Sequence, residues 1–263
     1  MSSMNPSSTT DPRVVVVIGG ASGIGLATAE RFARDGATVV VADLDGDLAT
    51  TRARELGGRS WAHQVRITDD DAVDTMFDLV GSRSGRVDAV VNCAGTSAVA
   101  PLTGFDADDW RRVVDVCLTG AFLVIKHTAR RMDEYGSIVT IASLNATQPA
   151  AGMAAYCAAK AGVVMLTQVA ALELGPQKIR VNAVSPGLVD TPLVAPLLRV
   201  PGLAEEFTDN TPLGRSGIPE DVANAVHFLS TRDSWITGET LTLDGDAHTR
   251  RYPDVLAKLT AGR

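Results

Sequence analysis

Two residues with complementary acid–base chemistry, Tyr156 and Lys160, lie four positions apart, and Ser143 precedes the tyrosine by thirteen. If residues 152–174 form a helix, this spacing places the phenol and the ammonium on one face. A free tyrosine has a pKa near 10, so proton exchange near neutrality needs a pKa lower by about 3, or roughly 4 kcal/mol. A lysine at short range in a partly dry cleft supplies much of that difference. The pattern predicts a site of hydride transfer with tyrosine as the proton carrier.

The same Tyr-x-x-x-Lys spacing also occurs by chance on helix surfaces, where such a pair contributes only a few tenths of a kcal/mol. The catalytic interpretation therefore depends on what surrounds the pair. A nucleotide-binding segment and the strands and helices that carry it must be found in the same chain.

Composition favours an enzyme of small molecules. The 263 residues are 45% hydrophobic and 21% charged, as expected for one α/β domain. A net charge of −7 gives no reason to expect a nucleic acid or a membrane as partner. No apolar run approaches the roughly 20 residues of a membrane span, and residues 1–12 lack the features of a signal peptide, so we expect a cytoplasmic protein.

The cysteines and histidines indicate no metal site. Cys93, Cys117 and Cys157 are odd in number and follow no metal-ligand spacing, so we expect neither a disulfide framework nor a bound metal. His127 is expected to be a packing or helix-surface residue, with a catalytic role as the alternative.

Apolar runs alternate with amphipathic, helix-like stretches along most of the chain. The first run, Val14–Ile18, is continuous and β-branched, as in a strand buried on both faces of a parallel sheet. Alternating strands and helices build a single-domain, Rossmann-type α/β fold, a doubly wound parallel sheet with helices on both faces. We expect residues 1–12 to be a disordered tail and residues 13–263 to be this domain. The other predicted strands are Thr38–Ala42, Trp61–Ile67, Ala89–Asn92, Ser137–Ala142, Arg180–Val184 and Thr240–Leu243.

The segment 188–217 differs in character, since it is rich in proline, leucine and valine and is too long for a tight connection. Insertions of this length are often lids or binding loops, so a lid-like role is predicted. The alternative is that its apolar residues pack on the core.

A glycine-rich loop, residues 19–25, follows the first predicted strand and opens a helix near Ile24. Glycines allow the backbone to approach a pyrophosphate, which a helix N-terminus stabilises through free N–H groups and its dipole. Asp43 ends the second predicted strand, where a carboxylate accepts hydrogen bonds from an adenosine ribose and repels a 2′-phosphate. The sequence therefore predicts NAD rather than NADP. An ordinary turn aspartate in Asp43-Leu44-Asp45-Gly46 is the alternative.

Six motifs, in this order, resemble the short-chain dehydrogenase/reductase family, and the resemblance extends from Val14 to Gly245. They are the glycine loop of residues 19–25, Asn92-Cys93-Ala94-Gly95, Ser143, Tyr156 with Lys160, Pro186-Gly187 with Thr191, and Asp244-Gly245.

The resemblance implies a role for each of these residues. Ser143 would hydrogen-bond the substrate oxygen, in a substrate site with Asn145, while Tyr156 would exchange the proton and Lys160 would lower its pKa and hold the nicotinamide ribose. This is general acid–base catalysis with positioned hydride transfer, for which the nicotinamide supplies the redox chemistry. The residues expected at the cofactor are Gly19, Ser22, Gly23, Ile24, Gly25, Asp43, Leu44, Ile67, Asn92, Ala94, Gly95, Tyr156, Lys160, Pro186, Gly187, Val189 and Thr191.

Three residues depart from the family pattern near the cofactor. Ile18 stands where threonine is usual, and Asp246 stands where a second glycine is usual; we expect both to be tolerated. Arg66 replaces an aspartate that meets the adenine amino group, although Ile67 keeps a backbone N–H for the adenine. Arg66 is expected to stack on the adenine or to attract a 2′-phosphate, which weakens the preference for NAD.

A fourth departure lies at the catalytic centre. Cys117 occupies the place of the family's active-site asparagine, whose main-chain carbonyl holds a water in the proton relay from the lysine. The cysteine keeps the carbonyl but loses the side-chain amide. A buried partner left unpaired would cost about 1–3 kcal/mol, or roughly 5- to 150-fold in rate. We therefore expect a slowed or rerouted relay, and not a cysteine nucleophile.

The leading hypothesis is an NAD-dependent dehydrogenase that interconverts a hydrophobic secondary alcohol and its ketone. The alternatives are an NADPH-dependent reductase of 3-oxoacyl groups and a weakly active dinucleotide-binding regulator. The substrate pocket is expected between residues 145–153 and 188–207. Its predicted apolar lining comprises Leu193, Val194, Leu197, Leu198, Leu203 and Phe207.

The resemblance also implies a homotetramer or a dimer. The tail beyond Asp246, with Tyr252, Leu256 and Leu259, is expected to reach a neighbouring subunit.

Overall fold

The computed structural model describes residues 12–260. Its centre is a seven-stranded sheet in the order β3-β2-β1-β4-β5-β6-β7, and every neighbouring pair is parallel. The doubly wound, Rossmann-type sheet predicted from the sequence is therefore confirmed. The strands are β1 Val14–Ile18, β2 Thr38–Asp43, β3 Trp61–Gln64, β4 Ala89–Asn92, β5 Ser137–Ile141, β6 Arg180–Pro186 and β7 Thr240–Leu243.

Helices cover both faces of the sheet. One hydrophobic core lies between the sheet and helices α1, α2 and α9, and another lies between the sheet and helices α3, α5 and α6. The helices are α1 Gly23–Arg34, α2 Gly46–Leu56, α3 Asp70–Ser84, α4 Ala107–Val114, α5 Gly120–Ala129, α6 Ala154–Leu174, α7 Ala195–Leu198, α8 Leu203–Asp209, α9 Pro219–Leu229 and α10 Val255–Thr260.

The central strand β1 shows why the sheet is buried on both faces. Its side chains point alternately to opposite faces, as in any strand. Val15 and Val17 enter the core beside α1, where Phe32 is buried. Val14 and Val16 enter the opposite core, where Phe77 of α3 is buried. A continuous β-branched run is the pattern that satisfies two cores at once.

Element boundaries differ from the predictions by a few residues. Helix α1 begins at Gly23 rather than Ile24, and α6 begins at Ala154 rather than 152, because Gly152 has a left-handed φ of 82°. The strand predicted to continue to Ile67 ends at Gln64. The predicted disordered tail falls on residues outside the described range, apart from Pro12.

The expectation that no apolar run approaches the length of a membrane span is wrong for α6. The stretch Ala154–Gln177 has a mean hydropathy of 1.4 and is long enough by length and composition alone. Its position explains this character, because Val163 packs against Ala183 of β6 and Ala170 enters the core beside α3. Helix α6 therefore packs on the core with one face, and its exposed face also carries apolar residues.

The segment 188–217 contains α7 and α8. One part of it packs on the core, and another part lines a cavity. Leu203 and Phe207 of α8 are buried against Val255 of α10, so this part packs on the core. Leu193 and its neighbours instead line a cavity described below. A lid movement of the segment stays a prediction.

The C-terminal segment, residues 250–260, folds back onto its own chain. Tyr252 packs edge-on against Phe207 with ring centroids 5.5 Å apart, and Leu256 lies beside Gly152. Leu259 lines a cavity of its own chain. The contact of this tail with a neighbouring subunit stays a prediction.

Asp246 has a left-handed φ of 70°, which explains why glycine is usual at this place in the family it resembles. Aspartate is among the few residues that adopt this conformation at modest cost. The buried carboxylate of Asp244 accepts hydrogen bonds from the backbone N–H groups of Asp246 at 3.0 Å and His248 at 2.9 Å. These hydrogen bonds stabilise the turn, which agrees with the expectation that aspartate is tolerated at position 246.

His127 is a structural residue that joins two helices. Its ring is almost fully buried on α5, with Nε2 2.6 Å from Asp70 and Nδ1 2.6 Å from Asp74, both on α3. It lines neither of the cavities described below. These contacts join α5 to α3, next to the turn that contains Cys117.

Candidate active site

Two adjoining cavities lie at the carboxyl ends of the strands. The larger, which we call the cleft, has a volume of about 520 Å³ and includes Ile18 of β1 and Asp43 of β2. It lies where the strand order reverses between β1 and β4, which is where doubly wound sheets bind ligands. The smaller, the side cavity, has a volume of about 340 Å³, and Leu193 lines both.

The glycine loop forms one wall of the cleft. Gly19 has a φ of 70°, and a Cβ there would lie 2.9 Å from the backbone nitrogen of Ala94, so only glycine fits. A Cβ on Gly25 would overlap the carbonyl oxygen of Gly19. Ser22, the N-cap of α1, makes no side-chain cap bond, and the first turn has no acidic residue. The loop thus offers the free N–H groups and the positive helix end that a pyrophosphate requires.

Asp43 lies on the lining of the cleft and also holds the glycine loop. Its Oδ2 accepts a hydrogen bond from the Ala21 N–H at 3.0 Å, and its Oδ1 accepts one from the Asp45 N–H at 3.1 Å. Each carboxylate oxygen keeps a further lone pair. Asp43 can therefore stabilise the turn and still accept hydrogen bonds from a ribose. Leu44 is 55% exposed and lies beside it on the same lining.

The residues after β3 line the cleft beside Asp43, since the Val65 N–H donates to the Asp43 carbonyl oxygen at 2.8 Å. Ile67 lies on the lining and packs against Gly120, where a Cβ would be 2.6 Å from its Cδ1 atom. This close approach lets α5 begin directly against the loop. Arg66 is exposed on the same lining, so its guanidinium is available to a ligand.

Sequence reasoning missed Arg112 of α4, which also lines the cleft. Its Nη1 donates to the Thr96 hydroxyl oxygen at 2.9 Å, and its Nη2 pairs with Asp109 at 2.8 Å. Nothing in the local sequence places α4 over this edge of the sheet, since the approach depends on the packing of α4 against α6. The other residues missed at the cleft are Val65, Thr68, Cys93, Thr96, Val116 and Pro192.

The turn after β4 is only partly on the cleft. Ala94 and Gly95 line it, as predicted. Asn92 does not: it is 2% exposed, and its Oδ1 accepts a hydrogen bond from the Ala94 N–H at 3.2 Å. Its side chain therefore supports the turn, and contact of Asn92 with the cofactor stays a prediction.

The expected nicotinamide residues divide between the two cavities. Thr191 lines the cleft and lies close to Gly23 of the glycine loop. Pro186, Gly187 and Val189 line the side cavity together with Tyr156, and their contact with the nicotinamide stays a prediction. The two groups meet at Leu193, so the cavities form one continuous site.

Ser143, Asn145 and Tyr156 come together on the side cavity, as predicted. Ser143 caps the short turn that follows β5: its Oγ accepts a hydrogen bond from the Asn145 N–H at 3.1 Å. Lys160 lies one turn after Tyr156 on α6, with its Nζ 5.6 Å from the centre of the tyrosine ring. The lysine is 3% exposed and donates to the carbonyl oxygen of Ile141 at 2.6 Å.

The electrostatics of Tyr156 differ from the expectation. Burial raises the pKa of Tyr156 to about 12, and a hydrogen bond with Ser143 acts in the opposite direction. Burial also lowers the pKa of Lys160 from its ordinary value. Burial is the larger of these effects, so it weakens the phenol as an acid in the polypeptide alone. The lowering of the tyrosine pKa by Lys160 in the catalytic complex stays a prediction.

Cys117 is buried in a π-helical turn, Asp115–Thr119, between α4 and α5. Its Sγ donates to the Thr96 carbonyl oxygen at 3.2 Å and accepts from the Thr96 N–H at 3.4 Å. The thiol thus pairs with both backbone groups of Thr96. The expected unpaired partner does not arise at this residue, which removes that reason for a slowed reaction. Single π turns are frequent at functional sites, and no sequence pattern marks this one.

The side cavity is apolar and lacks charged side chains among the described residues. The predicted Leu193, Val194 and Leu197 line it, but Leu198, Leu203 and Phe207 do not. Helix α8 turns the last two into the core with Val255. Leu188 and Pro196, within the predicted segment 188–207, also line it. Sequence reasoning missed the wall made by distant residues, which are Ser97, Ala98, Val99, Tyr252 and Leu259.

Known proteins resemble this chain in sequence and in fold. Residues 19–248 match a family model described as enoyl-(acyl carrier protein) reductase. A short-chain type dehydrogenase/reductase from Mycobacterium ulcerans superposes with a TM-score of 0.90 and 36% identity, covering 95% of this chain and 94% of that chain. This chain belongs to the short-chain dehydrogenase/reductase family.

Two curated relatives of this short-chain dehydrogenase/reductase have assigned reactions. A cis-4-hydroxycyclohexanecarboxylate dehydrogenase of Sinomonas cyclohexanicum is 41% identical over 239 residues, which are 89% of this chain and 95% of the relative. A 3-oxoacyl-(acyl-carrier-protein) reductase of Thermotoga maritima is 37% identical over 240 residues, 89% of this chain and 96% of the relative.

Membership of the family makes the protein an oxidoreductase that uses a nicotinamide cofactor and a small-molecule substrate. The cleft fits such a dinucleotide. Its glycines leave no room for side chains, α1 presents an uncapped N-terminus, and Asp43 keeps free lone pairs.

The contacts of Cys117 predict how substitutions there affect stability. Cys117→Ala should lower the free energy of unfolding by about 1–3 kcal/mol, because the two Thr96 backbone groups lose their partner. Cys117→Ser keeps a donor and an acceptor and should remain closer to the unsubstituted protein. Chemical denaturation of the three proteins measures the difference, and equal stability of the two variants would contradict this role of the thiol.

Proposed function

We propose that this enzyme interconverts neutral, hydrophobic secondary alcohols and their ketones with NAD as the hydride carrier. One observation carries the proposal: Ser143 and Tyr156 face an apolar side cavity without charged lining, which opens into a cleft bearing Asp43. The bound nicotinamide supplies the hydride acceptor or donor.

The chain supplies positioning and proton transfer. The Ser143 hydroxyl lies on the side cavity and hydrogen-bonds Tyr156. When substrate binds, its one hydroxyl hydrogen is donated to the substrate oxygen instead. Tyr156 gives its phenolic proton to the ketone oxygen, or takes the proton of the alcohol, in the step that accompanies hydride transfer. Lys160 is held on the same helix face and replaces the proton through its amine. The apolar wall of the side cavity excludes water from the reacting carbon.

The choice of a neutral substrate follows from the absence of charged side chains on the described lining of the side cavity. The relative from Sinomonas is named for a ring alcohol that carries a carboxylate. A carboxylate buried in a cavity needs a cationic or hydrogen-bonding partner, and no lysine or arginine lines the described side cavity. A ring or branched alcohol without that charge therefore fits better.

A panel of substrates tests the proposal. Oxidation of cyclohexanol and cyclopentanol with NAD should proceed with a higher kcat/KM than oxidation of 4-hydroxycyclohexanecarboxylate or glucose, followed by the absorbance of reduced nicotinamide. Tyr156→Phe should lower kcat by about 10²–10⁴ because the proton carrier is removed, while NAD affinity stays near that of the unsubstituted enzyme. No turnover of any alcohol or ketone, despite measured NAD binding, would contradict the proposed function.

Asp43 predicts the cofactor preference. Its carboxylate repels a 2′-phosphate, so NAD should be used better than NADP. Asp43→Asn removes the charge and keeps an oxygen that can accept the Ala21 N–H. This variant should raise the NADP-to-NAD ratio of kcat/KM by about tenfold, which corresponds to ~1.4 kcal/mol. Steady-state kinetics with both cofactors measure the ratio, and an unchanged ratio would show that Asp43 does not select the cofactor.

A second candidate is an NADPH-dependent reductase of 3-oxoacyl groups. The relative from Thermotoga and the two guanidinium groups at the cleft, Arg66 and Arg112, favour it. The same cofactor comparison, with a 3-oxoacyl thioester as substrate, separates it from the first candidate. A weakly active dinucleotide-binding regulator has less support, because the Cys117 thiol keeps Thr96 paired.

We also propose that the protein forms a homo-oligomer, a dimer or a tetramer. An apolar stripe runs along α6, with Met165, Val169 and Leu172 being 59%, 43% and 79% exposed, and Phe122 of α5 is 47% exposed. The spacing places the three α6 residues on one helix face, and contiguous exposed apolar surface is typical of interfaces.

Substitution of the stripe tests the assembly. Leu172→Glu should shift the protein toward a monomer in sedimentation velocity, because a charge would be buried in the interface. Leu213→Glu is the matched control, since Leu213 is 71% exposed and lies outside the stripe. A monomeric unsubstituted protein, or equal effects of the two variants, would overturn this proposal.

A further inference from the structure

The C-terminal segment supplies a wall of the side cavity. Tyr252 and Leu259 line this cavity together with Tyr156, although about a hundred residues separate them from it in the sequence. The ring of Tyr252 stands edge-on to Phe207, with an interplanar angle of 87° and a centroid distance of 5.5 Å. This is a favourable aromatic geometry that holds the ring in one orientation.

Contacts on both sides of Tyr252 fix the segment in place. Before it, the Gln148 side chain donates from Nε2 to the carbonyl oxygen of Arg250 at 2.7 Å. After it, Val255 is fully buried in a cluster with Leu203 and Phe207. The tyrosine is therefore presented to the cavity by an anchored stretch of chain, and not by a fraying terminus.

The hydroxyl of Tyr252 is placed beside the catalytic side chains. Burial raises the pKa of Tyr252 well above its ordinary value, with the nearby phenol of Tyr156 adding to the rise, and a hydrogen bond with the Asn145 side chain opposes it. The group is consequently a neutral phenol at neutral pH. Asn145 in turn donates its backbone N–H to the Ser143 hydroxyl oxygen, so the wall and the catalytic serine share a neighbour.

We propose that Tyr252 is a specificity-determining residue whose ring limits the size of the alcohol that fits beside Tyr156. The inference rests on the proposed oxidoreductase function and adds the feature that selects among its substrates. The cavity is bounded on this side by the ring itself, and Phe207 behind it is already packed in the core. Removing the ring opens the cavity toward the C-terminal segment and admits a bulkier substrate.

Competition between a small and a bulky ring alcohol tests the assignment. For Tyr252→Ala, the ratio of kcat/KM for 2-decalol to that for cyclopentanol should rise by about tenfold or more, within the range that one pocket contact controls. Tyr252→Leu keeps an apolar side chain against Phe207 and should shift the ratio in the same direction by less. Tyr252→Phe keeps the ring and should leave the ratio within about twofold of the unsubstituted enzyme.

Lys258→Ala is the matched control on the same segment. Lys258 lies 3.5 Å from Glu206 and does not line the cavity, so its loss weakens the attachment of the segment without removing the wall. The NAD dissociation constant and the substrate ratio of this variant should stay unchanged.

The outcomes separate the two proposals. An unchanged substrate ratio in both Tyr252→Ala and Tyr252→Leu, or an equal shift in Lys258→Ala, would overturn the role of Tyr252 while the alcohol dehydrogenase activity stands. An unsubstituted enzyme that binds NAD and oxidises neither alcohol would overturn the proposed function itself.

Discussion

The buried amine of Lys160 is the constraint on which the site depends. An ammonium group removed from water needs polar partners, and the carbonyl oxygen of Ile141 at 2.6 Å provides one. This bond ties the middle of α6 to the end of β5, and Tyr156 follows one turn away on the same face. The position of the phenol is thus a consequence of where the cation can be accommodated.

The same burial separates the two catalytic groups electrostatically. It raises the pKa of Tyr156 and lowers the pKa of Lys160, so burial acts against the charged form of each group. The spacing of four residues fixes their proximity but does not make the phenol a stronger acid. A hydrogen bond from the Ser143 side chain acts against burial and lowers the pKa of Tyr156. The placement of Ser143 by the turn after β5 therefore bears on proton transfer as well as on substrate binding.

Features encoded by local sequence were predictable. The β-branched run of β1 specified a strand with two buried faces, and the glycines of residues 19–25 specified a turn where a side chain would collide. The walls of the site were not predictable in the same way. Tyr252 and Arg112 reach the cavities through the packing of α8 against α10 and of α4 against α6, which no periodicity encodes. Asn92 shows the converse, since a motif residue can serve the turn rather than the ligand.

Cys117 shows how a departure from a family pattern is to be judged. Amide and thiol differ in size and in hydrogen-bond strength, but both offer a donor and an acceptor. The backbone N–H and carbonyl of Thr96 need one of each, and Sγ meets both requirements at sulfur distances. What the fold demands of this position is therefore a donor and an acceptor that match the backbone groups of Thr96. An asparagine is one way to meet that demand, and a buried cysteine is another.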